Sequence, residues 1–194
     1  MNERVIVEKP GVGSAMLQLA RLLSIRMYGT VSAAKMDLVR QLGGTALDYK
    51  HSDFVQELRT LEPNGVQAVF DPVGGPQLER SYQVLSRNGT LVMFGTAAAA
   101  QARGNATLAL AATLLRFLAL KLRLSSRHVE LYLIEAARKK NPEHFRQDVQ
   151  TLLELLRDGK ITPHIAKVLP LSQAKQAHAL LEGARVMGKI ILQP

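Results

Sequence analysis

Val5-Ile6-Val7-Glu8-Lys9-Pro10-Gly11-Val12-Gly13-Ser14-Ala15 is the stretch on which the reading of this 194-residue chain turns. An apolar run of β-branched residues is followed by two glycines in a three-residue spacing, then by Met16, Leu17, Leu19, Ala20 and Leu23 on one side of a helical wheel, with Gln18 and Arg21 opposite. The pattern predicts a strand over 5–7, a glycine turn and an amphipathic helix over 14–23. A helix that starts on such a turn presents unpaired backbone N–H groups and a partial positive charge, and glycine lets a diphosphate approach that backbone closely. The third glycine of the dinucleotide fingerprint is replaced by Met16, so the context of strand and helix carries the reading.

Outward from this stretch the same alternation recurs. Strands are predicted over 27–31, 46–47, 68–70 and 90–94, and helices over 34–42, 53–61 and 77–85. Gly43-Gly44, Pro63-Asn64-Gly65, Asp71-Pro72-Val73-Gly74-Gly75 and Asn88-Gly89 serve as breaks. Continuous apolar strands linked by helices predict a parallel sheet covered on both faces, and right-handed crossovers make it an α/β, doubly wound (Rossmann) fold. Past Gly95 the sequence turns helix-rich, with helices predicted from Asn105, over 127–140 and over 143–157. Leu169-Pro170-Leu171 then leads into a helix over 172–182 and a short return strand over 188–192.

Composition narrows the class. An apolar content of 47% suits a well-filled core. The absence of cysteine removes disulfides, thiolate zinc sites and a cysteine nucleophile, and fits a reducing, cytoplasmic setting. No secretory or transit pattern stands at the amino terminus, and the apolar stretch 106–122 is interrupted by Arg116 and Lys121, so no membrane span is expected. The net charge of +9 is concentrated in 103–140, where eight basic residues face Glu130 and Glu135. Without an RNA-binding signature this reads as a solvated helical face able to steer an anionic cofactor, with no nucleic-acid partner expected. His51, His128, His144, His164 and His178 lack ligand spacing, and no metal site is predicted.

Cofactor choice is read at the end of the second strand. A fingerprint that selects NAD carries an acidic residue there, about 20 positions on. Here the segment is Gly29-Thr30-Val31-Ser32-Ala33-Ala34-Lys35, in which Ser32 offers a hydroxyl and Lys35 a charge to a 2′-phosphate, so NADPH is favoured. Tyr49 is placed either to stack near an adenine or simply to pack. Asp71, before Pro72, is read as a loop organiser and not as a base, and Tyr82 and Tyr132 fall within helical patterns as packing residues.

Taken together, Gly11-Val12-Gly13-Ser14-Ala15, Gly29-Thr30-x-Ser32-x-x-Lys35, Leu47-Asp48-Tyr49, Phe70-Asp71-x-Val73-Gly74-Gly75, Gly89-x-Leu91-x-x-Phe94-Gly95 and Gly188-Lys189-Ile190 resemble the medium-chain dehydrogenase/reductase family, and within it the zinc-free NADPH quinone oxidoreductase branch. The resemblance implies hydride transfer from NADPH to a quinone or an activated enone or enal, usually by a homodimer. It implies that Gly11, Val12, Gly13 and Ser14 hold the diphosphate, and that Ser32, Lys35 and Tyr49 surround the 2′-phosphate and adenine. Phe94, Gly95 and Thr96 would lie beside the nicotinamide, and Lys189 would approach the phosphates. No catalytic residue is assigned, because the chemistry of this branch rests on holding hydride donor against acceptor.

Members of this family carry a GroES-like substrate domain ahead of the glycine turn. The resemblance therefore divides the chain into an NAD(P)-binding domain over 1–145, helical excursion included, and a C-terminal remnant of the substrate domain over 146–194. The segment Glu8-Lys9-Pro10 also departs from the longer small-residue loop of relatives: Glu8 would stand near the diphosphate and Pro10 lacks an N–H. Two functions are thus carried forward: the cofactor domain of an NADPH-dependent oxidoreductase, and a non-catalytic nucleotide-binding or dimerisation module. The branch pairs subunits through an edge strand, here the one predicted over 90–94.

Overall fold

The computed structural model describes residues 4–8, 10–100, 102, 105–182, 186 and 188–194, with the backbone alone described for 4–8, 10, 11 and 182. Lys9 and Arg103 lie outside the described residues. Six strands, β1 (Arg4–Glu8), β2 (Arg26–Val31), β3 (Thr45–Asp48), β4 (Val66–Asp71), β5 (Leu85–Met93) and β6 (His128–Leu131), form one sheet. The order is β3-β2-β1-β4-β5-β6 and every neighbouring pair is parallel. That order is the doubly wound one, with its switch point between β1 and β4.

Helices α1 (Pro10–Leu22), α2 (Met36–Gln41), α3 (Phe54–Leu61) and α4 (Gln77–Gln83) cross between successive strands. The four-residue α5 (Ala97–Ala100) and the long α6 (Ala106–Lys121) connect β5 to β6. Alternation along β2 shows why two helical layers are needed. Met27 and Val31 join Leu17, Ala20, Val39 and Ala46 in the cluster under α1 and α2, whereas Tyr28 joins Leu47, Phe54, Leu58, Leu78 and Leu91 in the cluster on the other face. α6 closes that second face with Phe117 and Leu120.

Local chemistry sets the helix starts. Asp53 accepts from the Val55 amide at 3.0 Å ahead of α3, and Asn105 accepts from the amides of Thr107 and Leu108 at 2.9 and 3.2 Å ahead of α6. Beneath the sheet, the buried carboxylate of Glu62, just past α3, accepts from the Tyr28 hydroxyl and from Arg26 Nη1, the latter at 3.0 Å. Burial foremost, and then the Glu62 hydrogen bond, push the Tyr28 phenol up. The start of β2 is thereby tied to the end of α3.

Several sequence expectations are corrected. Residues 127–140 do not form the single helix that their pattern predicts: 128–131 form β6, paired Thr90 to His128 through Met93 to Leu131, and α7 begins only at Ile134 (Ile134–Lys140). Tyr132 consequently follows a strand and is half exposed, whereas Tyr82 does lie in α4 and is buried. The strand over 90–94 is not an edge, because β6 covers it. Asn88-Gly89 is not a turn between elements: Asn88 takes φ of +63° within β5, where the ladder to β4 skips from Val66–Leu85 to Ala68–Thr90. After α8 (Pro142–Arg157), a strand that the sequence pattern does not reveal, β7 (Ile165–Pro170), pairs in parallel with β8 (Lys189–Gln193) in a separate two-stranded sheet, with α9 (Ala174–Glu182) between them.

Two substitutions test this architecture. Leu91→Ala, at a fully buried site in the central sheet, is expected to lower unfolding free energy by about 2–5 kcal/mol. Glu62→Ala, which takes the carboxylate acceptor from the buried Tyr28 hydroxyl and from Arg26, is expected to cost about 1–3 kcal/mol. Urea titration followed by circular dichroism reads both, and no loss for Leu91→Ala would contradict the central position of β5.

Candidate functional site: the carboxyl edge of the sheet

Register places the carboxyl ends of the strands side by side. Glu8 stands opposite Thr30, Val31 opposite Asp48, Val7 opposite Phe70, and Asp71 opposite Met93. Every loop that leaves this edge therefore opens on the same side, the side on which doubly wound sheets bind ligands.

At the switch point β1 ends at Glu8 and α1 begins at Pro10. Gly11, Val12 and Gly13 lie inside the first turn of α1, and Ser14 opens its second turn, so the helix expected from residue 14 starts four residues earlier. A first-turn amide has no carbonyl four residues back within its helix, so those of Gly11 and Val12 remain donors at the positive end of the helix dipole. Proline is tolerated here because its missing N–H falls in that same unbonded turn. Val12 is half exposed, whereas Gly13 and Ser14 are buried against the sheet.

The neighbouring loops bring the second group of residues together. Ser32 sits at the N-cap of a short 3-10 turn, Ala33–Lys35, with its carbonyl accepting from the Lys35 amide at 2.8 Å. Tyr49 follows β3, donates its amide to the Val31 carbonyl at 3.3 Å and leaves its ring half exposed. Ser32, Lys35 and Tyr49 thus share one corner of the carboxyl edge. Beside them Asp48 is held by His51 Nδ1 at 2.7 Å and by the Lys50 amide at 3.0 Å, contacts that keep its carboxyl below the usual range.

The opposite side of the switch point is built on Asp71. Its side chain is wholly buried; Oδ1 accepts from the amides of Val73 at 2.7 Å and Gly74 at 2.8 Å, and Oδ2 accepts from Ser81 Oγ at 2.9 Å. Burial pushes the Asp71 carboxyl up, and these three donors oppose the shift. The turn they hold needs glycine: Gly74 has φ of +71°, and a Cβ there would stand 2.9 Å from Thr113 Cγ2 of α6. The loop after β5 is laced onto this turn. Phe94 donates to the Asp71 carbonyl at 3.0 Å, Ala97 to Pro72 at 3.1 Å and Ala98 to Val73 at 2.8 Å. A Cβ on Gly95 would meet the Pro72 carbonyl oxygen at 2.6 Å, so Phe94, Gly95 and Thr96 run directly over the Asp71 turn.

Lys189, at the start of β8, is exposed and shares a small cavity of about 90 Å³ with Ser14, Gln18, Leu152, Thr162 and His164. It therefore stands by the second turn of α1. Among the described residues no three His, Asp or Glu side chains converge as metal ligands, and no helix is long and apolar enough to cross a membrane. The sequence identifies Asp71 as a loop organiser but not its partner Ser81 or the buttress Thr113. The polar residue ten positions after Asp71, on the inner side of α4, is the available signal.

Known proteins are similar to this chain in sequence and in fold. The family model described as "Zinc-binding dehydrogenase" matches residues 42–192. The human synaptic vesicle membrane protein VAT-1 homolog is 30% identical over 95% of this chain and 48% of its own length. Quinone oxidoreductase 1 of Escherichia coli is 26% identical over 95% of the chain and 54% of its own length. A crystal structure of Escherichia coli quinone oxidoreductase complexed with NADPH superposes with a TM-score of 0.81 at 26% identity, covering all of this chain and 57% of that one. The chain spans about half the length of the curated relatives it matches.

The Asp71 turn yields a measurable expectation. Asp71→Ala leaves two amides and a hydroxyl unmatched and is expected to cost roughly 2–4 kcal/mol, whereas Asp71→Asn, which can accept from both amides and donate to Ser81, is expected to cost less than about 1 kcal/mol. A folded-state pKa raised above the unfolded value of about 3.9 favours the native state fully below that value, and the benefit is lost as pH rises through the folded one. Wild type should therefore lose stability relative to Asp71→Asn as pH rises from about 4; a difference that stays constant with pH in urea titrations would contradict the shift.

Proposed function

The chain belongs to the zinc-binding dehydrogenase family of medium-chain dehydrogenases/reductases, a family of oxidoreductases, and from that premise we propose that it is an NADPH-binding half of an enzyme that delivers hydride to a quinone or an activated enone or enal. The observation that carries the reading is the corner formed by Ser32, Lys35 and Tyr49 at the ends of β2 and β3, on the same edge of the sheet as the N-terminus of α1. The β2 end carries no carboxylate from Gly29 through Lys35, which suits a 2′-phosphate better than free ribose hydroxyls. When bound, the nicotinamide supplies the hydride; the protein supplies position.

In this reading the amides of Gly11 and Val12 and the buried Ser14 receive the diphosphate, with Lys189 beside that turn. Lys35 and Ser32 receive the 2′-phosphate, and Tyr49 lies against the adenine. Phe94, Gly95 and Thr96, propped on the Asp71 turn, set the height of the nicotinamide ring. No side chain at this edge is needed as acid or base. Residues 1–145 act as the cofactor domain and 146–194 belong with the substrate-binding part, a homodimer being the working assembly. The NADPH complexed with the Escherichia coli quinone oxidoreductase, a relative of the same fold, supports a nicotinamide cofactor here.

Isothermal calorimetry of the purified chain tests the reading. NADPH is expected to bind at micromolar concentration and to weaken about tenfold in Lys35→Ala, while NADH binding is indifferent to that change, since one charge-assisted phosphate contact is worth about that factor. Failure of both nucleotides to bind, with the fold intact by circular dichroism, would favour the non-catalytic module, for which the single residue between the end of β1 at Glu8 and the start of α1 at Pro10 is the supporting observation.

A further inference from the structure

α1 carries a second feature, at its other end. Helices in this sheet run back against the strands, so Arg21 and Leu22 lie about 16–18 Å along α1 from Pro10, toward the edge of the sheet remote from the cofactor loops. There the last turn of α1, the last turn of α2 and the segment 159–165 enclose a crevice of about 550 Å³, a volume within the range of small-molecule sites. Gln18 fixes its outer wall: Nε2 donates to the Thr162 carbonyl at 3.0 Å and Oε1 accepts from the Thr162 amide at 2.6 Å, a two-point link of the kind made between paired strands.

The lining is divided by chemistry. Leu22, Leu38, Leu42 and Ile165 supply its apolar lining and Arg21, Lys160 and His164 its basic side chains, and among the described residues no carboxylate lines it. Arg26, Arg40, Arg80, Arg123, Arg138 and Arg157 each sit on a carboxylate, whereas neither Arg21 nor Lys160 is ion-paired among the described residues. The partial negative charge expected at two helix ends is already met, because the carbonyls of Leu19, Ala20, Arg21, Leu38, Val39 and Arg40 accept from the amides that follow each helix. Among the described residues, two cations therefore border a partly apolar space without an anion beside them.

We propose that this crevice binds an amphiphilic organic anion, an aliphatic carboxylate whose charged end meets Arg21 and Lys160 and whose hydrocarbon end lies on Leu22, Leu38 and Leu42. The guanidinium offers a paired donor set for a carboxylate, and the chain replaces water over the leucines. The site is separate from the cofactor edge and makes no demand on it, so its fate is independent of nicotinamide binding.

Calorimetric titration of the purified chain with octanoate, acetate and octan-1-ol is the test. Octanoate is expected to bind with a Kd below about 1 mM, as a ligand of its size can reach in a partly apolar site, and acetate and octan-1-ol at least tenfold more weakly. The charge reversal Arg21→Glu with Lys160→Glu, at two exposed positions, should weaken octanoate at least tenfold while leaving the thermal midpoint and NADPH binding as in wild type. Leu22→Gln gives a second variant with the charges kept, and it should weaken octanoate but not change acetate. Equal binding of octan-1-ol, an unchanged affinity in the charge-reversed protein, or no octanoate binding would each overturn the proposal.

Discussion

The buried carboxyl of Asp71 is the constraint on which the carboxyl edge of this sheet depends. A polar group wholly removed from water at the end of a central strand must be matched by donors, and here the donors are the amides of the next turn and a hydroxyl from the helix beyond it. Those three contacts oblige the chain to turn sharply after β4, in a conformation that Gly74 supplies. The turn then becomes the template for the loop after β5, whose amides bond to its carbonyls. Loop geometry at a binding edge is commonly soft, yet this pair of loops is set from below by one buried side chain and from above by α6 through Thr113. Under the proposed function, a nicotinamide ring beside Phe94 and Gly95 would find a floor already in place, with little ordering left to do.

Legibility in the sequence follows burial. Strands buried on both faces, such as the stretches around Val69 and Leu91, are continuous apolar runs and read directly, as do the helices that cover them. β6 does not. Only Val129 of its four residues is buried, it borders the basic, helix-favouring run 135–140, and nothing local distinguishes it from the start of that helix. Its strand state comes from pairing with β5, a tertiary effect. β7 is hidden similarly: Pro163 and Pro170 bracket it, and its side chains are mostly exposed, so no period of two stands out.

Glycine misleads in two opposite directions. Gly11 and Gly13 suggest a turn because glycine is poor in helices, yet the short passage from β1 leaves them helical, with Pro10 well suited to the start. Asn88-Gly89 suggests a turn between elements, and the left-handed Asn88 is there, but as an irregularity that the sheet absorbs. The residues of the candidate site are more legible than the boundaries around them. Ser32, Lys35, Tyr49 and the Phe94–Thr96 segment can be found because each follows a strand end, and strand ends are what the alternating pattern locates well. Ser81 and Thr113 escape because they act through the backbone of other residues.

The C-terminal part obeys a different logic. Among the described residues from 146 onward, Ala177 alone is buried, and Leu152, Leu153 and Leu156 of α8 stay between 41 and 60% exposed. A two-stranded sheet with one face of a helix cannot enclose a core of its own. Its described polar attachment to the first unit runs through Gln18, in the middle of α1, with Lys189 beside the second turn of the same helix. α1 thus faces three ways: its first turn to the carboxyl edge of the sheet, its middle to the 159–165 segment, and its last turn to the cationic crevice. Leu17 and Ala20 of α1 are buried in the core, so all three contacts are made from an element whose seat the packing fixes. A C-terminal part with so few buried side chains is thereby fastened to α1 through the two-point link of Gln18 to Thr162.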